Sequence, residues 1–312
     1  MQTLLTLLQV VAPLYLLMLT GRMARAAGML ADQTRKQING LVFYVFAPAL
    51  IIRIITAKET LNGIPWLLIL LHVLLLTAFA MALMLLLKRT APEFQGTFTQ
   101  AAYRSNMVFF GLPTLTLVYG PDQLSAAIPV ILLFSMIFFN ISSVIVLSLP
   151  HHNLGQKFQP LKLAIGIAKN PLILACVIGF AMAMFKLPQS KWLAKSIDML
   201  AVIAAPLALI ELGSGLEFGH LSAVFGRAGL CSLLKLIILP ALYWLLLPLF
   251  GQSGQTLDSL VILTACPTAV LSYLMAHQMK GDSKLASEII VVSSALSLVT
   301  IPIWLWILGL GG

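Results

Sequence analysis

Ten long apolar runs joined by short polar segments dictate what this chain can fold into. Cut at charges and turn residues, they fall at about 3–20, 38–57, 64–87, 97–118, 124–148, 163–185, 197–216, 228–249, 258–279 and 285–310. A hydrocarbon core about 30 Å thick, at a rise of about 1.5 Å per helical residue, is spanned by about 20 apolar residues. Ten such helices consume nearly all 312 residues. The expected fold class is therefore an all-α membrane protein, with no soluble catalytic or nucleic-acid-binding domain.

Charge supports this reading. Only 9% of the residues are charged, against about 25% in a soluble domain. The net charge of +9 does not indicate nucleic acid, because the 19 Lys and Arg are scattered singly and form no basic stripe. They serve as orientation signals. Loops after odd-numbered runs hold Arg22, Arg25, Arg35, Lys36, Lys88, Arg89, Lys157, Lys162, Arg227, Lys280 and Lys284. The opposite face holds Lys58, Lys186, Lys191 and Lys195, and three of these dissent together in the sixth-to-seventh loop. Positive loops stay cytoplasmic, so both termini are expected outside. The first run, Leu4 to Leu19, has no positive residue before it and reads as a retained helix, not a cleaved signal. Cys176, Cys231 and Cys266 lie in apolar stretches without zinc-site spacing, and the His151-His152 pair has no carboxylate nearby. Neither a metal nor a cofactor is expected.

The chain carries a weak internal repeat. Pro13 and Pro171, in the first and sixth runs, are 158 residues apart, as are Pro48 and Pro206 in the second and seventh. A duplicated five-span unit enters the membrane from opposite faces, so the halves are expected as inverted repeats: residues 1–148, a central loop at 149–162, and residues 163–312. The same offset aligns Arg53 with Glu211. They are not expected to pair, since oppositely directed helices set them about 15 Å apart in depth.

Two helices are expected to be broken. The fourth run reads Arg104-Ser105-Asn106-Met107-Val108-Phe109-Phe110-Gly111-Leu112-Pro113-Thr114, and the ninth Thr264-Ala265-Cys266-Pro267-Thr268-Ala269. Proline removes an N–H and crowds the preceding turn, and glycine tolerates the backbone of a break. A second half-helix starting near Pro113 or Pro267 presents unpaired N–H groups and a partial positive charge. Two such ends meeting at the midplane make an anion site. Its candidate residues are Asn106, Gly111, Pro113, Thr114, Pro267 and Thr268. Arg104 and the deeply placed Lys235 are the candidate cations. Carbonyls near Asn106 to Phe110 and Thr264 to Cys266 are expected to be freed by the breaks. Lys169 and His277 lie close enough to span ends to snorkel. Asn140, Ser142, Ser143, Ser293, Ser294 and Ser297 either line the breaks or bond neighbouring helices. Glu211 and Glu288 are the candidate proton carriers.

These residues give the chain a resemblance to the auxin efflux carrier family. The resemblance rests on the order of Phe46-Ala47-Pro48-Ala49-Leu50, Asn106 through Gly111-Leu112-Pro113, Lys169-Asn170-Pro171, Leu234-Lys235-Leu236-Ile237-Ile238-Leu239-Pro240 and Pro267. It implies ten helices as two inverted five-helix repeats. Spans 1, 2, 6 and 7 form a scaffold, and spans 3–5 and 8–10 a transport domain whose broken fourth and ninth helices cross at the substrate. Family members carry organic anions such as auxins, and bacterial ones are described as malonate or malate carriers. The short central loop points to a small bacterial member, in the inner membrane with periplasmic termini.

The function expected is secondary transport of a small organic anion, a dicarboxylate such as malonate or malate, by alternating access. Partners are the lipid bilayer, a co-transported proton or sodium, and a second copy joined through the scaffold. No G-x-x-x-x-G-K-[ST] motif is present to couple ATP, and neither G-x-S-x-G nor H-E-x-x-H is present to support an intramembrane enzyme. An anion channel or a membrane-embedded ligand sensor is the alternative.

Overall fold

The computed structural model describes residues 2–56, 65–120, 123–125, 127–152, 165, 169, 171–185, 187, 190–215 and 221–310. Most of the central loop, together with Lys58, Lys157, Lys162, Asn170 and Lys186, lies outside the described residues, as does the Cys176 side chain. Lipid offers no partner to a bare N–H or C=O, so the backbone satisfies itself as helix. Among the described residues there is no strand, and the one extended contact is an antiparallel bridge between Ser105 and Thr268.

Each apolar run contains helix. In order these are Gln2–Ala26; Asp32–Leu41 continuing to Ala47–Thr56; Trp66–Leu86; Pro92–Tyr103 followed by Leu112–Tyr119; and Ala127–His152. The second half of the chain holds Pro171–Met184; Lys191–Ser214; Leu221–Leu233 continuing to Leu239–Leu246; Gly254–Ala265 followed by Leu271–Gln278; and Ser283–Ile307. Among the described residues five stretches are long and apolar enough to cross a membrane: Trp66–Leu86, Ala127–Pro150, Lys191–Ser214, Gly226–Phe250 and Ser283–Ile307. Several helices start before their apolar run, at Asp32 and Lys191 for example, because a helix continues through the polar interface. Trp66–Leu86 shows the two-sided apolarity of a helix between protein and lipid: Leu68, Leu76 and Phe79 are buried while Leu67, Leu70 and Leu74 are exposed.

Among the described residues three short π-helical turns, Val42–Phe46, Met107–Gly111 and Leu234–Ile238, each end two residues before a proline: Pro48, Pro113 and Pro240. The proline ring crowds the carbonyl four residues back and leaves it without its N–H. Widening the preceding turn relieves that clash without ending the helix. At Pro240 the orphaned carbonyl belongs to Leu236, and the Trp304 indole N–H takes it at 2.8 Å.

Close packing of the first and seventh runs depends on two glycines. A Cβ at Gly21 would run into the Ile210 backbone carbonyl, and one at Gly213 into that of Met18. Each glycine thus admits the other helix's backbone, as small residues do at membrane helix crossings. Arg53 bonds Asp198 at 3.0 Å, and Glu211 faces Arg35 at 3.4 Å, so Arg53 and Glu211 do not pair with each other. Gly213→Leu is expected to forbid this crossing and lower the melting temperature of the detergent-solubilised protein sharply. Gly226→Ala, in an open helical position, is expected to leave the melting temperature unchanged or raise it slightly, since alanine adds up to about 1 kcal/mol of helix propensity. Equal effects would remove the role given to Gly213.

Candidate anion site

The fourth and ninth runs are both broken, and the breaks lie against each other. In the fourth, helix ends at Tyr103, Arg104 is extended, and helical turns resume at Met107. The break therefore precedes Gly111 and Pro113 and does not fall on them; Pro113 sits in the resumed helix behind a π turn. In the ninth, helix ends at Ala265, Cys266 is extended, and helix resumes at Leu271, four residues past Pro267.

The two breaks satisfy most of each other's backbone. Asn106 N–H donates to Pro267 O at 2.9 Å, and Ala269 N–H to Arg104 O at 3.0 Å. Side chains take the carbonyls that remain. Thr268 Oγ1 donates to Ala101 O at 2.9 Å, and Lys235 Nζ donates to Thr264 O and, at 2.5 Å, to Ser105 Oγ. The Thr268 N–H donates to Ser293 Oγ at 3.1 Å. Asn106 O is not free as the sequence implied, since it accepts from Phe110 and Gly111. Gly111 allows the approach: a Cβ there would lie 2.7 Å from Leu263 Cδ2 and 3.1 Å from Cys266 Sγ.

First-turn N–H groups are left over at the start of each second half, at Met107, Val108 and Phe109 and at Val270 and Leu271. All five residues line one cavity of about 470 Å³. Its wall also includes Arg104, Asn106, Ser135, Asn140, Glu211 and Tyr273, and exposed Lys36 and Asn39 mark where it reaches the surface. Arg104 is 4% exposed. Its guanidinium donates to Phe139 O (2.9 Å), Ser143 Oγ (2.7 Å) and Asn140 Oδ1 (3.3 Å). Among the described residues no carboxylate comes within ion-pair distance of Arg104 or Lys235.

Of the residues singled out in the sequence, Arg104, Asn106, Asn140 and Glu211 line this cavity, and Gly111, Pro113, Thr114, Pro267, Thr268, Lys235 and Glu288 do not. Thr114 Oγ1 bonds Phe110 O within its own helix. Lys235 holds the crossing from behind. Ser143 positions Arg104, and Ser142 Oγ accepts from the Tyr103 hydroxyl at 2.9 Å. His277 stacks on Tyr273. Sequence reading missed Lys36, Asn39, Ser135 and the Val270-Leu271 end. Only Lys36 carried a signal, as a charge next to a membrane helix. Lys235→Met leaves the Thr264 carbonyl with only the 3.3 Å bond from Ser105 Oγ, so it is expected to destabilise the ligand-free protein by about 1–3 kcal/mol, read as a lower melting temperature. An unchanged melting temperature would show that the crossing does not need the ammonium.

Comparison with known proteins agrees with this architecture. A family model described as "Membrane transport protein" matches residues 6–305. A protein of Rhizobium meliloti (strain 1021) named "Putative malonate transporter" is 27% identical over 287 residues, covering 88% of this chain and 87% of the relative. An uncharacterized transporter of Methanocaldococcus jannaschii is 22% identical over 96% of this chain and 98% of its own length. One of Methanothermobacter thermautotrophicus is 26% identical, over 95% and 96%. A break-and-crossing core within an all-helical membrane chain, matched over nearly its whole length, places the protein in the membrane transport family of the auxin efflux carriers.

Proposed function

We propose that this protein is a secondary transporter of a small dicarboxylate, malonate or malate, which binds in the cavity at the crossing of the fourth and ninth runs. One observation carries the reading: a buried arginine with no carboxylate partner among the described residues shares a cavity wall with the N-terminal ends of two half-helices. Burying a cation is costly unless opposite charge arrives. The half-helix ends add partial positive charge and free N–H donors in a site shielded from bulk water. Arg104 would grip one carboxylate, with Asn106 and the Met107–Phe109 amides beside it. The Val270 and Leu271 amides would meet the other. The name of the Rhizobium meliloti relative supports malonate as the first substrate to test.

In this reading ten spans form two inverted five-helix repeats, residues 1–148 and 163–312. Spans 1, 2, 6 and 7 make the scaffold, which also joins two copies, and spans 3–5 and 8–10 move against it by alternating access. The cavity wall draws on both groups: Asn39, Val42 and Phe43 from the second run and Ala208 and Glu211 from the seventh face Asn106 and Val270. Such a boundary is where a rocking motion would open and close a site. With both termini outside in a bacterial inner membrane, the Lys36 mouth faces the cytoplasm, and Lys36 and Arg35 form a positive rim for arriving anions. The coupling ion is a proton or sodium.

Counterflow in proteoliposomes tests this. Vesicles loaded with unlabelled malonate are expected to take up labelled malonate transiently, a behaviour that a channel or a sensor does not produce. Arg104→Gln is expected to lower exchange roughly tenfold to a hundredfold, the worth of a charged hydrogen bond. Arg104→Lys is expected to fall between, since lysine lacks the planar fork. Full exchange by Arg104→Gln would move the site elsewhere, and no exchange of malonate or malate by the wild type would overturn the reading.

A further inference from the structure

A buried polar chain, His72–Ser135–Tyr243, adjoins the cavity and is not used by the binding site proposed above. His72 is the one ionisable residue of helix Trp66–Leu86 and is 1% exposed. Its Nε2 is 2.8 Å from Ser135 Oγ on the fifth run, and its Nδ1 is 2.8 Å from the Tyr243 hydroxyl on the eighth. Ser135 donates its own hydrogen to Ile131 O at 2.6 Å, so it accepts from His72 Nε2–H. In the neutral ring Nδ1 is then the lone pair and Tyr243 the donor.

Tyr243 has a second acceptor within reach, the backbone carbonyl of His72 itself, at 3.1 Å. When the ring gains a proton, Nδ1–H donates to the tyrosine oxygen and the tyrosine hydrogen turns to that carbonyl. No donor or acceptor is stranded in either protonation state, although buried polar networks normally fit one state only. Ser135 lines the cavity, so the imidazole stands one hydroxyl away from it.

The surroundings decide when that proton is held. Tyr243 is the titratable group facing His72 from the eighth run. Lys235, two turns earlier on that run, is committed to Ser105 and Thr264. From the fifth run Ser135 faces it. Arg104 of the fourth run is committed to Phe139, Ser143 and Asn140. Among the described residues no ion pair involves His72, and its ring bonds only Ser135 and Tyr243. A buried imidazolium therefore lacks compensating negative charge until an anion occupies the cavity.

We propose that His72 is the proton-carrying group of this transporter: it takes up one proton, forming one N–H bond, when the dicarboxylate binds, and crosses the membrane with it. This rests on the transport reading above and names its coupling ion. It gives the carrier role to His72 in place of Glu211, which faces Arg35, and of Glu288, which does not line the cavity.

The test uses proteoliposomes of the full chain with the membrane potential held at zero by potassium and valinomycin, and a pH gradient of one unit, alkaline inside. One proton per anion gives about tenfold accumulation of labelled malonate at equilibrium. His72→Gln is expected to bring the ratio to one in vesicles that still exchange labelled for unlabelled malonate. Tyr243→Phe removes the Nδ1 partner in both states, and an unpaired charged N–H costs more than an unpaired neutral lone pair, so this variant is expected to do the same and serves if His72→Gln does not assemble. Tenfold accumulation by either variant overturns the assignment to His72. Wild-type exchange without accumulation overturns proton coupling and leaves the transport reading standing. A wild type that exchanges neither malonate nor malate overturns both.

Discussion

A bare backbone amide or carbonyl inside a bilayer has no solvent to bond to, and leaving it unpaired costs several kcal/mol. The core of this protein is the consequence of interrupting two helices under that constraint. Breaking one span alone would strand groups on both sides of the gap. Laid antiparallel, the two breaks exchange backbone bonds through Asn106, Pro267, Arg104 and Ala269. Thr268, Ser293, Ser105 and Lys235 absorb what the backbone leaves. What remains is a set of N–H donors at the starts of two half-helices, all on one side, where the cavity lies.

The two buried cations divide the work. Lys235, a compact ammonium on a flexible stem, reaches carbonyl and hydroxyl oxygens behind the crossing and closes it. Arg104, with five donors in a rigid plane, spends some of them on Phe139, Ser143 and Asn140 and keeps its place on the cavity wall. That wall joins the broken runs to the second and seventh runs. Charge and backbone donors therefore meet where the broken runs face the second and seventh runs.

The helical fold was legible because twenty-residue apolar runs permit little else. Pro267 marked its break because the ninth run has no π turn to absorb the lost bond. Pro113 misled for the opposite reason: a π turn takes up its clash, and the chain stays helical through it. The true break at Arg104-Ser105-Asn106 contains no helix breaker. It is imposed by bonds to residues about 160 positions away, which no local pattern reveals. Lys235 announced itself as a charge at depth, but its partners come from the fourth and ninth runs, so its job was invisible. The cavity's Val270 and Leu271 are ordinary apolar residues, and what they contribute is backbone.

The central claim is that the two half-helix ends and Arg104 together hold the anion. A structure of the wild-type protein with a bromine-labelled dicarboxylate, located by anomalous scattering, tests it most directly. The account predicts one bromine peak inside the cavity, with carboxylate oxygens within hydrogen-bond distance of the Arg104 guanidinium and of the amides at Met107–Phe109 or Val270–Leu271. A peak behind the crossing against Lys235, or in a site that none of these groups touches, would contradict it.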